Sequence, residues 1–238
     1  MPKARRNPAP APVVPEIRPL PPLEVLRRLE EAYGPIAWRP RLDPVSELVF
    51  TILSQHTSDL NAERAFRRLL EEFGSWEAVA QGDVGRIAAC ITVGGLAQQK
   101  APRLRAVLRT IQERRGALDL SFLKDLPLEE AKAWLRALPG VGPKTAAVVL
   151  CFSLGMPAMP VDTHVYRVAR RLGLIGPRVT PEQAHDALER MVPPDRVFAF
   201  HVALITHGRR TCKAPRPQCA RCVLRHGCPT APLYLGQG

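Results

Sequence analysis

The sequence predicts an all-α protein, and three observations carry that prediction. Apolar residues recur at helical spacing along most of the chain, as at Leu23, Leu26, Leu29 and Tyr33. No segment sustains the two-residue alternation of a half-buried strand. Hydrophobic residues make up 46% of the 238 residues but aromatics only 5%. The core must therefore be built mainly from Leu, Val, Ile and Ala, which favours helices over a β-sandwich. No repeat of solenoid period is present.

The punctuation between the apolar stripes places each helix. The first runs over 23–33. Asp43-Pro44 opens the second, with Asp as cap and Pro in the first turn, above a stripe of Val45, Leu48, Val49, Ile52 and Leu53. Asp59 is read as the cap of a helix that stops at Gly74, and Ser75 as the cap of a short one from Trp76. Another short helix covers about 83–90. A long one runs from about 98 to Arg115, with Pro102 tolerable only in its first turn. Helices over 127–137 and Pro143–Leu154 flank the tight segment Leu138-Pro139-Gly140-Val141-Gly142. Thr163–Leu172 is helical, Thr180-Pro181-Glu182-Gln183 is a capping box, and 195–207 is the last long helix.

The formal net charge of +12 points to a polyanionic partner, because Lys and Arg displace counterions condensed on phosphate. Nucleic acid leads; a ribosome or an anionic membrane surface would also satisfy the charge. No apolar run is long enough to span a bilayer, and the N-terminus has no hydrophobic signal core. Residues 1–22 are expected to form a disordered, basic, Pro-rich arm and 231–238 a tail. Of the six cysteines, Cys90 and Cys151 sit in apolar helical patterns and are expected to be buried. The other four, Cys212, Cys219, Cys222 and Cys228, follow the last long helix as C-x6-C-x2-C-x5-C. In a reducing compartment such a group holds metal, and thiolates suit zinc and iron–sulfur alike. The segment is too rich in proline and too aperiodic to pack unaided, so a metal centre would supply its folding energy.

Gly140, Val141 and Gly142 lie where a sharp turn would bring backbone N–H groups to the N-terminus of the next helix, an arrangement that can grip a DNA phosphate. An ordinary helix–helix turn would look the same. Lys144 falls in the first turn of that helix, where the positive helix end and partial burial would favour a neutral, nucleophilic amine. Asp162 opens the following helix; it is a natural N-cap and also the carboxylate such an amine needs nearby.

LPGVGPKTAAVVL and PVDTHVYRVARRLGL resemble the core motifs of the endonuclease III family, within the helix–hairpin–helix glycosylase superfamily, and the resemblance spans about 23–229. It implies a two-lobed fold: a helical-barrel lobe, 38–156, and a discontinuous cluster lobe, 23–37 with 157–230. It implies that Lys144 attacks C1′ of a damaged nucleotide, that Asp162 is the catalytic carboxylate, and that the four cysteines hold a [4Fe–4S] cluster. The product would be a base-free strand nicked by β-elimination, with double-stranded DNA carrying damaged bases or abasic sites as partner. The extruded base leaves a gap. The resemblance assigns its filling to the Gln55-His56 turn and to Leu96, although His56 stands where the family has Gln, and Ala97-Gln98-Gln99 departs from the usual run. Lys213 and Arg216, between the first two cysteines, are expected to touch phosphate. Oxidised pyrimidines are the expected substrate. A mismatch-type glycosylase for thymine, uracil or adenine, and a non-catalytic DNA-binding or redox-sensing iron–sulfur protein, are the alternatives. A monomer in the cytoplasm, associated with the nucleoid, is expected for a prokaryotic source.

Overall fold

The computed structural model describes residues 17–235 and is all-helical, with no strand among them. Twelve α-helices follow one another: α1 (Pro22–Tyr33), α2 (Pro44–Leu53), α3 (Asp59–Phe73), α4 (Trp76–Gln81), α5 (Val84–Ile91), α6 (Ala97–Arg115), α7 (Leu128–Arg136), α8 (Pro143–Leu154), α9 (Thr163–Arg171), α10 (Pro181–Glu189), α11 (Val197–Arg210) and α12 (Pro232–Leu235). Caps account for most starts. Asp43 accepts from the amides of Val45 and Ser46 at 3.1 and 3.0 Å, and Thr180 and Gln183 close the expected box.

Several expectations are corrected. Ser58, not Asp59, caps α3; its hydroxyl accepts from Asn61 N, and Asp59 is the first helical residue. Pro102 lies in the second turn of α6, because the helix already begins at Ala97. It is exposed, as is Gln98, so the carbonyl it deprives of a partner remains open to water. Within residues 17–22, assigned to the arm, Leu20 lies against Gly227 and Pro19 against Gly173, and Pro22 opens α1. Residues 232–235, assigned to the tail, form α12. The rest of the predicted arm, 1–16, and of the tail, 236–238, lies outside the described residues.

Two apolar cores organise the helices. One gathers α2 to α8 and the residues following α8 to Ala158, with Leu48, Ile52, Leu69, Ile87, Leu104 and Leu108 fully buried. The other joins α1 to α9, α10 and α11 and reaches Leu224, Cys228 and Ala231, with Phe200 the largest fully buried side chain. Each fully buried Leu or Phe contributes on the order of 2 kcal/mol before entropy is subtracted. The cores meet where Phe152 of α8 packs edge-on against Phe198 and His201 of α11, at ring separations of 5.2 and 5.5 Å. Near this seam Glu47 is fully buried, and Arg41 neutralises it; the Arg41 guanidinium lies 5.0 Å from both the Phe50 and Phe152 rings. Cys151 is buried as expected, and burial pushes its thiol up to about 12. Cys90 is only half-buried.

Candidate active site and DNA interface

The hairpin forms between α7 and α8. Val141 N donates to Leu138 O at 3.2 Å, and Val141 is buried while Pro139, Gly140 and Gly142 are exposed. Gly140 takes φ +74°, a conformation that L side chains rarely adopt, and a Cβ there would come within 2.6 Å of the Arg103 side chain. Gly142 was expected to serve the turn, but its φ of −93° is open to any residue. A Cβ on Gly142 would meet nothing within 4 Å in the protein itself. No side chain caps α8, so its first-turn amides are left with the positive end of the helix dipole.

Lys144 is in that first turn. It is exposed, so the expected partial burial is not found; only two residues separate it from the hairpin tip, and the neighbouring Thr145 takes the buried face. Asp162 is the N-cap of α9, half-buried, with Oδ1 accepting from Val165 N at 2.7 Å. The two residues come from different cores but share a neighbour that sequence reading did not single out. His201 of α11 is 4% exposed, bonds through Nδ1 to Pro160 O at 2.8 Å, and lies in the electrostatic field of both Asp162 and Lys144. Burial pulls its pKa down to about 4, against the attraction of Asp162, so the imidazole is neutral at physiological pH.

The remaining DNA-contact candidates share a conformational mark. Among the described residues, three other than glycine have positive φ: His56 (+55°), Leu96 (+52°) and Arg216 (+52°). All three were candidates, and such strained backbone concentrates at functional sites. His56 is exposed after α2, and Leu96 is 46% exposed just before α6. Lys100 joins the end of α2 to the segment before Leu96: the residue is 2% exposed, and its ammonium donates to Leu53 O at 2.8 Å and Gly94 O at 2.9 Å. Burial lowers its pKa, and no carboxylate shares in holding it. Gln55 accepts from Arg103 Nη1 at 3.1 Å. Helical periodicity could not single out Lys100 or Arg103, because their partners are 47 and 48 residues away.

The four C-terminal cysteines line one cavity with Arg171, His207 and Tyr234. Burial pushes the Cys222 thiol up to about 11 and raises Cys219. Arg171 Nη1 reaches Cys212 Sγ at 3.4 Å and Lys213 O at 2.7 Å, while Nη2 reaches Ala214 O at 2.9 Å. Leu224 N approaches Cys222 Sγ at 3.4 Å, and His207 Nε2 lies 3.6 Å from it. This anchoring holds Lys213 and Arg216 out in solvent. Four thiols lining one cavity, with N–H groups directed at Cys212 and Cys222, form a donor set that fits a thiolate-held metal centre.

A family profile described as the HhH-GPD superfamily of base excision DNA repair proteins matches residues 49–194. The chain belongs to this family. Within it, the chain is 35% identical to the endonuclease III of Thermotoga maritima over 186 residues, covering 78% of this chain and 83% of that one. It is 32% identical to the endonuclease III of Escherichia coli K12 over 207 residues, covering 87% and 93%. A solved non-covalent endonuclease III–DNA complex superposes with a TM-score of 0.77 at 26% identity, covering 90% of this chain and 98% of that one. A trapped endonuclease III–DNA covalent intermediate gives 0.76 at 25% identity. The all-α hairpin fold read from the sequence is that of this base-excision family, and no described helix is long and apolar enough to cross a membrane.

Proposed function

We propose that the chain is a bifunctional DNA N-glycosylase and abasic-site lyase that excises oxidised pyrimidines, with Lys144 as nucleophile and Asp162 as its carboxylate. The observation that carries this reading is an exposed lysine in the first turn of the uncapped hairpin helix, together with a half-buried carboxylate capping α9, in a chain that superposes on a trapped endonuclease III–DNA covalent intermediate. The free amine of Lys144 attacks C1′ of an extruded nucleotide and the C1′–N bond breaks, its electron pair leaving with the base. The ionised carboxylate of Asp162 stabilises the positive charge that develops on the sugar as the base leaves, and then takes the proton shed by the amine. Opening of the sugar gives a C1′=N Schiff base to Lys144. Loss of a C2′ proton then breaks the C3′–O bond and nicks the strand on the 3′ side. The hairpin amides hold a phosphate meanwhile, and Leu96 and the Gln55-His56 turn fill the vacated stack.

The donor set of Cys212, Cys219, Cys222 and Cys228 fits a [4Fe–4S] cluster, which would supply folding energy to the 212–228 segment. Lys213 and Arg216 would then be presented to phosphate. The substrate is double-stranded DNA carrying a damaged base or an abasic site, met, in a prokaryotic source, in the cytoplasm at the nucleoid.

Borohydride with thymine-glycol or abasic duplex should trap one covalent adduct, and Lys144→Ala should lose both adduct and nicking while keeping salt-sensitive binding. Absence of any adduct in the wild-type protein rejects the lyase mechanism. Purified protein should absorb broadly near ~400 nm, and a colourless zinc protein would overturn the cluster assignment.

A further inference from the structure

We infer that Arg103 is a positioning residue for DNA recognition: it ties the hairpin to the gap-filling turn, so that His56 keeps the opposite-strand place the resemblance gives it, and it adds a phosphate contact beside the hairpin amides. The inference rests on the DNA-glycosylase reading and adds a residue that reading does not use. Arg103 sits one turn beyond Lys100 on α6, three residues on and so on a neighbouring face. Its Nη1 donates to Gln55 Oε1 at 3.1 Å. Its Cδ and Nε occupy the space a Cβ on Gly140 would need, at 2.6 Å. One exposed side chain therefore touches the turn after α2 and the hairpin before α8, segments some 85 residues apart in sequence (55 to 140).

Three consequences follow from that placement. Gln55 has its amide oxygen engaged and is half-buried, whereas His56, exposed at φ +55°, carries no side-chain hydrogen bond to a described residue. Of the two candidates for the opposite strand, His56 is the one free to enter. A guanidinium has five N–H donors and only one is used here. Among the described residues no carboxylate pairs with Arg103, whereas Arg109 on the same helix lies 3.8 Å from Glu113. A phosphate gripped by the hairpin would thus meet an uncompensated fork of donors.

The test uses the full chain and two duplexes, one intact and one with a tetrahydrofuran abasic analogue opposite 2-aminopurine. The wild-type protein should prefer the abasic duplex. Arg103→Gln should lower the slope of log affinity against log salt by about one unit and cut the abasic preference about tenfold. It should also change the 2-aminopurine emission. Arg103→Lys should restore the slope, since the charge returns, but not the emission, since an ammonium cannot bridge Gln55 and the hairpin in the same planar fork. Arg109→Gln should change neither. A folded Arg103→Gln protein with wild-type slope and emission overturns the inference while leaving the glycosylase reading intact. If His56→Ala leaves the emission of the wild-type complex unaltered, the assignment of His56 falls. A wild-type protein without abasic preference removes the glycosylase reading and this inference together.

Discussion

Two buried side chains show how single residues govern the site without touching DNA. Lys100 donates to two carbonyls, Leu53 O at the end of α2, just before the turn bearing His56, and Gly94 O, just before Leu96. Lys100→Met keeps the stem's packing but leaves both carbonyls without a partner. It should cost about 1–3 kcal/mol in urea melts and weaken discrimination of abasic from intact duplex. His201 gives a pH signature. Its folded pKa is about 4, lowered mainly by burial, against an ordinary value near 6.5. Between these values the unfolded chain binds the proton and the native protein does not, so stability falls as pH drops. That contribution is fully present above pH 6.5 and is lost progressively as pH falls toward about 4. His201→Gln should make that part of the stability–pH curve shallower, with the rest of the slope left to His207, which burial also lowers to about 4, and to His185, lowered in the same direction. A curve unchanged by the substitution would show that another group titrates there.

At the scale of elements, the two proposed catalytic residues lie at helix N-termini that the chain finishes differently. Asp162 caps α9 with Oδ1 on Val165 N, whereas α8 has no side-chain cap and leaves its amides for an anion. This separates two roles of one residue. Asp162→Asn retains an acceptor for Val165 N and should shift stability by less than about 0.5 kcal/mol, since Asn and Asp cap equally well, yet it should abolish base release. Loss of activity together with a cap-sized loss of stability would mean that the carboxylate acts only through the fold. The ordinary caps offer a control: Thr180→Ala, in the capping box of α10, should cost about 1 kcal/mol with excision unaffected.

At the scale of the molecule, polar ties cross between the two cores. Lys132 of α7 is 13% exposed and bonds Glu189 of α10 at 2.7 Å and Glu129 at 2.8 Å; Glu189 also accepts from Met159 N at 2.9 Å. Burial works against the charge on Lys132, but the hydrogen bonds to Glu129 and Glu189 outweigh it and raise the pKa. Lys132→Met strands Glu189 without its cation and should destabilise the protein by about 3 kcal/mol, read by urea denaturation. Arg209 of α11 pairs with Asp59 of α3 at 3.1 Å across the same two cores, but both side chains are more than half exposed, and such a pair contributes little.

The all-helical class, the hairpin, the cap of α9 and the cysteine spacing were legible in the sequence because each is local. Periodicity, Gly and Pro positions and cap chemistry act within a few residues, so order along the chain specifies them. Errors of the reading were local too: Ser58 competed with Asp59 for one cap, and α6 began early enough to take Pro102 into its second turn. The arm was misjudged from residue 17 onward, because the groove against Gly173 and Gly227 that receives Pro19 and Leu20 is made by distant segments. Lys100, Arg103, Arg171 and His201 escaped for the same reason, each taking its partner from 40 or more residues away. Sequence alone determined which helices form and where along the chain the hairpin, the cap of α9 and the four cysteines fall. Tertiary structure decided which of those side chains share a field, a loop or a cavity, because burial and long-range hydrogen bonds exist only once the two cores have closed.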